Sequence, residues 1–412
     1  MSEKVSTIDD EQRRATYLSE VVCQLYPSGW QARSDRHGSS HSYVVVPHRR
    51  KPRVLIPAAS RKIASRALMR YSRPATRLAR WKRDAAVAAL RLGLDRLLLP
   101  HRLHLGSGDG ESSSINEYLG DVLGQNVHVT VHIGPARANR KPVLQVLDDQ
   151  ARTIAFTKVG VNDLTRSLVA AEAEALRNLK GARDLAGLRA PQLIHHGNWG
   201  EFTVLVTEAL PAWRAPQPCS DHRRLQAMRT LAESSGTVEL PLGHSPYLEG
   251  LRHRLDTLAQ RGENDCSTLT DAAADLIAEL RDHTLTFGAW HGDWTEWNTS
   301  ADTDVIHVWD WERFETNVPL GFDLLHYRLQ TDIVSLGLDP TTAVLQLISQ
   351  AGDHLVPFGI SPSKARSTAL LYLVDLAARY LTDRQEQAGA ALGALGQWLL
   401  PTLLRHVAKR SV

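Results

Sequence analysis

Residues 290–298 read WHGDWTEWN, and twelve positions beyond Asn298 the stretch VIHVWDWE (305–312) places Asp310. The first stretch contains H-x-D-x-x-x-x-N, with His291, Asp293 and Asn298 in the named positions. In the second, Val305, Ile306 and Val308 predict a strand that ends at Asp310. Two aspartates and an asparagine offer oxygen donors. A magnesium ion prefers such ligands, so the side-chain carbonyl of Asn298 and the carboxylate of Asp310 suit it in a way that His or Cys does not. Asp293 is then the group placed to accept or orient the proton of an attacking hydroxyl, as phosphoryl transfer requires.

The combination resembles the catalytic loop of the aminoglycoside phosphotransferase and choline kinase family. It rests on His291, Asp293, Asn298 and Asp310, the following Glu312, and GFDLLHY at 321–327. The resemblance runs from about Gln125 to the C-terminus. It implies an α+β, two-lobed protein-kinase-like fold with a five-stranded antiparallel N-lobe and a mainly helical C-lobe. It also implies ATP and Mg2+ as cofactors and transfer of the γ-phosphate to a hydroxyl. Asp293 and His291 take catalytic positions under it, Asn298 and Asp310 the metal, and Asp323 structural support at the start of a helix.

Family enzymes also carry a lysine on the third strand paired with a helical glutamate, and Lys158 in IAFTKVG ends the third expected strand. Glu172 and Glu174 compete as its partner. Leu168, Glu172, Ala175, Leu176 and Leu179 recur on one helical face, which Glu174 does not share. A carboxylate amid an apolar face needs a cation, which favours Glu172. The loop GPARANRKP at 134–142 has Gly134 where protein kinases have several glycines. Arg137, Asn139, Arg140 and Lys141 there are expected at a solvated hairpin tip rather than on phosphate. FTVLVTEALP at 202–211 resembles the hinge of the family, so the backbone at Glu208, Ala209 and Leu210 is expected to meet the adenine edge.

Three parts follow along the chain: a basic N-terminal extension at 1–122, an N-lobe at 123–211 and a helical C-lobe at 212–412. The extension is expected to hold a hairpin (Ser42 to Pro47 and Arg53 to Pro57) and helices at Ser60 to Tyr71 and Thr76 to Leu99. In the second helix, Leu78, Trp81, Ala85, Ala89, Leu92 and Leu99 recur at helical spacing and are expected to pack on a neighbour. Strands are predicted at Val127 to Ile133, Pro142 to Leu147 and Thr153 to Val159. A helix from Leu164 to Leu179 follows, capped by Asn162 or Asp163.

The chain carries a net charge of only +3, yet the stretch 49–102 holds sixteen Lys/Arg against two Asp/Glu. That basic stretch suits an anionic partner or a membrane surface; nucleic acid is not the expectation. From 212 onward, 17 basic residues face 25 acidic ones, a balance that tolerates a cationic or neutral polyol acceptor. Three cysteines, Cys23, Cys219 and Cys266, have no CxxC spacing. No apolar run reaches the roughly 20 residues that a membrane span needs. The acidic start MSEKVSTIDDEQRR is unlike a signal peptide, and a cytoplasmic location is expected. A small-molecule hydroxyl (sugar, amino alcohol or aminoglycoside-like) is the expected acceptor. A Ser/Thr kinase of peptides in natural-product biosynthesis and a pseudokinase scaffold are the alternatives.

Overall fold

A computed structural model describes residues 2–27, 30–33, 40–70, 76–107, 113–135, 137–181, 185–211, 213–214, 217–388 and 392–408. The chain forms two compact units, one of residues 1–173 with 191–215 and the other of 174–190 with 216–412. Tyr71, expected to close a helix, and Ala212, at the expected lobe boundary, lie outside the described residues.

The first unit is built on a nine-stranded sheet. Its strands are β1 (Trp30–Arg33), β2 (His41–Val46), β3 (Val54–Pro57), β4 (Arg102–Ser107), β5 (His128–His132), β6 (Val143–Leu147) and β7 (Thr153–Gly160). After β8 (Leu188–Arg189), which belongs to the second unit, come β9 (Leu193–Trp199) and β10 (Phe202–Glu208). The order is β1-β4-β2-β3-β5-β6-β7-β10-β9, with antiparallel pairing throughout. Strands β5, β6, β7, β9 and β10, with the helix Asp163–Gly181 after the third, have the small-lobe order expected from the sequence.

The segment 1–122, expected as an extension of its own, continues that sheet. Val54 and Leu55 of β3 pair with His132 and Val131 of β5, so the hairpin and the meander share one ladder. The two-residue period of the strands sends alternate side chains to opposite faces. Tyr43, Val45 and Leu55 join one core with Val129, Val131, Leu144 and Val146, covered by Tyr17, Val21 and Leu25 of the helix Ser2–Leu25 and by Ile115 and Leu119 of Ile115–Leu123. Val44, Val54 and Ile56 point the other way, onto Ala64, Ala67 and Leu68 of the helix Arg61–Arg70 and Val87 and Leu90 of Arg77–Leu92.

The helix expected to run to Leu99 stops at Leu92. Gly93 takes the left-handed conformation (φ 77°) and its N–H bonds Ala89 O, a helix ending that glycine adopts without steric cost. The stripe expected to pack on a neighbour is split: Ala89 and Leu99 are buried, and the rest of it is exposed. Leu78, Trp81 and Leu92 are 61%, 69% and 68% exposed, while Val87, Ala89 and Leu90 carry the buried face.

In the second unit, β11 (Val238–Pro241), β12 (Thr284–Trp290) and β15 (Glu315–Pro319) form one antiparallel sheet. Strands β13 (Thr299–Ala301) and β14 (Ile306–Val308) form another with β8. Helices supply the rest of the core, among them Pro246–Ala259, Asn264–Leu280 and Pro362–Thr382, through Leu251, Leu269, Leu276, Leu370 and Leu373. An aromatic cluster ties these layers together. The ring of Phe322, at the start of the helix Phe322–Gln330, meets Trp290 and Tyr372 edge-on at 5.6 Å each and Tyr247 at 5.8 Å.

Phe322→Ala should therefore destabilise the chain by about 3–5 kcal/mol, measured by denaturant unfolding. A loss below about 1 kcal/mol would mean that the cluster closes over the gap and does not anchor the helix.

Candidate active site

Strand β12 ends at Trp290 and hands the chain to His291, Gly292 and Asp293. The turn there requires glycine. Gly292 has φ 81°, and a Cβ at that position would lie 2.2 Å from Arg313 O. The loop is held from below by Asp323, 5% exposed, on the first turn of the following helix. Its carboxylate accepts the N–H of His291 at 2.7 Å and the N–H of Gly292 at 3.1 Å. Burial pushes this carboxyl up to about 7, although the two N–H bonds pull it the other way.

His291 is fully buried and both its ring nitrogens are occupied by backbone. Nδ1 accepts the N–H of Asp293 at 3.1 Å, so Nε2 carries the proton and donates to Trp309 O at 3.1 Å. Burial pushes its pKa down to about 4, which keeps the ring neutral. His291, expected from sequence in a catalytic position, is thus placed within the loop with both ring nitrogens on backbone atoms.

Asp293 differs from these neighbours in keeping about a third of its side chain open (34%). One oxygen, Oδ1, bonds His326 Nε2 at 2.9 Å, and the other, Oδ2, accepts Asn298 Nδ2 at 2.9 Å. The same Asn298 nitrogen also donates to Asp293 O at 3.0 Å. Burial works to raise the Asp293 carboxyl, but the His326 bond and the nearby Arg379 charge outweigh it and hold it below the ordinary value. With its amide nitrogen spent on Asp293, Asn298 has its side-chain oxygen left as a metal donor.

Asp310 follows β14 by two residues and sits in the left-handed region, φ 73°, which is uncommon outside glycine. The preceding residue is stitched to the loop on both sides, Trp309 N donating to Asn298 O at 3.1 Å while Trp309 O accepts from His291. The negative charge of Asp310 is felt at both His291 and Asp293. Asp293, Asn298 and Asp310 are thus brought together. Trp294 is fully buried, whereas Trp297 is 40% exposed and is the ring of this loop that faces solvent.

In the first unit, Lys158 Nζ pairs with Glu172 Oε2 at 2.5 Å, with Glu172 only 1% exposed. Glu174 lies outside and bonds Arg177. Helical periodicity therefore chose the right glutamate. Asn162, one of two candidates, caps that helix, its Oδ1 accepting Thr165 N–H at 2.9 Å. Gly134 directly follows Ile133 with open space around it. Arg140, expected at a solvated tip, instead lies over the Tyr17 ring at 3.5 Å, and Lys141 is 9% exposed. At the expected hinge, Glu208 N–H donates to Gln192 O at 2.8 Å and the buried Leu210 follows.

Solved structures similar to this chain include an aminoglycoside phosphotransferase in complex with ADP and hygromycin B, 14% identical over 72% of this chain and 98% of that one, with a TM-score of 0.48. An amicoumacin kinase in complex with AMP-PNP and Ca2+ is 11% identical over 66% and 86%, with a TM-score of 0.42. A choline/ethanolamine kinase family protein from Mesorhizobium loti is 16% identical over 65% and 88%, with a TM-score of 0.40. No protein-family model matches the chain, and no curated protein does. At such distances the chain's own residues have to carry the functional reading.

Three residues of this site escaped the sequence reading. His326 grips Asp293 and is itself bonded through Nδ1 to Tyr372 OH at 3.0 Å, while Arg379 donates to Gly292 O. His326 stands three residues after Asp323, on the same helical face, and that spacing was the signal available.

Asp323→Ala should leave two buried N–H groups unpaired, at about 1–3 kcal/mol each. A matching drop in melting temperature is expected, and an unchanged melting temperature would show that the loop holds without this carboxylate. His326→Leu should let burial raise the Asp293 carboxyl, since the group that holds it down is gone. Any activity that needs the Asp293 anion would then lose its acid limb at higher pH than the wild type. Overlapping pH–rate profiles for the two proteins would remove His326 from that role.

Proposed function

We propose that this chain is an ATP-dependent phosphotransferase that moves the γ-phosphate of ATP to a hydroxyl of a small molecule, with Asp293 as the residue that receives the acceptor. The observation that supports the reading most is the state of Asp293. Both of its oxygens are fixed by neutral donors, its charge is retained, and a third of it stays open.

Magnesium and the ATP phosphates fit the groups present. Asn298 oxygen and the Asp310 carboxylate are hard oxygen donors of the kind Mg2+ prefers, and the backbone just before Asp310 is bonded to Asn298 O, which supports their sharing an ion. Lys158, kept in position by Glu172, is assigned to the α- and β-phosphates. The backbone at Glu208, Ala209 and Leu210 is assigned to the adenine edge, and the loop at Gly134 to the phosphate tail. When bound, Mg-ATP supplies the transferable phosphoryl group and the cation that neutralises its charge.

The chain's own part is positioning and proton traffic. Asp293 accepts the O–H of the acceptor on a carboxylate lone pair that His326 and Asn298 leave unused. A carboxyl held below the ordinary range is a weak base, so it orients the hydroxyl and takes the proton only as the new P–O bond forms. That timing agrees with a loose phosphoryl-transfer transition state, in which little is asked of the base. Sugars, amino alcohols and aminoglycoside-like polyols are the acceptors this reading favours. The free thiols Cys23, Cys219 and Cys266 agree with a reducing, cytoplasmic setting.

A screen of hydroxyl metabolites for ATP-dependent phosphate incorporation tests this directly. Asp293→Asn keeps the shape of the loop and should lower turnover on any acceptor found by at least about 100-fold while ATP binding persists. Equal turnover by the variant would remove Asp293 from the chemistry.

A further inference from the structure

The helix Arg77–Leu92 is apolar on two sides, and its sheet packing uses one of them. Its outer side carries Leu78, Trp81, Ala85, Ala88 and Leu92, spaced three, four, three and four apart, a continuous seam along one face. All five are exposed. Past the Gly93 turn, on the short helix Asp95–Leu98, two more leucines are exposed, Leu97 79% and Leu98 63%. Side chains this far out of the surface stand proud of it.

Charge accompanies the seam. Arg77, Arg80, Lys82, Arg91 and Arg96 are exposed around it. The two carboxylates within 49–102, Asp84 and Asp95, are taken by Arg83 and Arg102. Fourteen cationic side chains of that stretch are left in excess. A second copy of the chain would set this charge against its like, which disfavours self-association through the same face.

We propose that this helix and the turn behind it dock on a lipid bilayer rich in anionic headgroups. Trp81 and the leucines enter the boundary between headgroups and acyl chains, and the arginines and Lys82 pair with headgroup phosphates and carboxylates. A seam with a Trp, flanked by Arg and Lys, has the composition of helices that lie in the plane of a membrane interface. The polybasic stretch supplies the second signal that stable attachment requires. Among the described residues no helix is long and apolar enough to cross a membrane, so the attachment is peripheral.

Vesicle sedimentation of the full-length chain tests the proposal independently of any kinase activity. Vesicles of phosphatidylcholine containing about 30 mol% phosphatidylserine should capture the chain at least about tenfold better than phosphatidylcholine alone, and added salt should weaken capture. The triple variant Trp81→Gln, Leu97→Gln, Leu98→Gln and the triple variant Arg77→Gln, Arg80→Gln, Arg91→Gln should each lose that capture. Both should keep the wild-type melting temperature, because every altered side chain is exposed. Capture of the apolar variant equal to wild type would reduce the surface to a charge sink and overturn the proposal. So would equal capture by neutral and anionic vesicles, no capture at all, or a concentration-dependent dimer in sedimentation velocity that the apolar variant abolishes.

Discussion

The candidate site depends on one buried carboxylate. Asp323 receives two successive backbone N–H groups, and those bonds fix the direction in which the chain leaves β12. A carboxyl group at 5% exposure is costly unless it is bonded, and here the bonds it makes are the loop. Everything further out is referred to that anchor. His291 is aimed by it, Trp309 is bonded to His291, and Asn298 is bonded to both Trp309 and Asp293. The helix that supplies Asp323 also supplies His326, so one rigid element sets both the floor of the loop and the grip on its carboxylate.

Behind the polar layer stands an aromatic one. Trp290, Phe322 and Tyr372 touch edge to face, and each belongs to an element that contributes a polar contact to the loop. Trp290 precedes His291, Phe322 precedes Asp323, and Tyr372 OH bonds His326. Apolar burial thereby brings the three elements into register, and hydrogen bonds then select a single arrangement among the packed alternatives.

What could be read from the sequence was local. Asp293, Asn298, Asp310 and Asp323 fall within about thirty residues, and fixed spacing along strands, turns and a helix start is enough to place them. Glu172 was separable from Glu174 because helical periodicity turns them to different faces. The contacts that were not legible span long stretches of chain. Arg379 reaches Gly292 from a helix nearly ninety residues away, and β3 joins β5 across more than seventy, which is why the first 122 residues read as an appendage although they extend the main sheet. The helix Arg77–Leu92 failed for another reason. Its apolar residues cover two faces, and periodicity alone does not say which of them is inside.

Asp310 stands where backbone conformation alone does not call for an acidic side chain. A backbone at φ 73° is one that glycine or asparagine occupies with least penalty, and the position just after a β-strand could have been filled by either on grounds of conformation alone. An acidic side chain there sets a negative charge at a fixed spot, felt by His291 and Asp293. Chains drifting under selection for robustness alone would be expected to shed it.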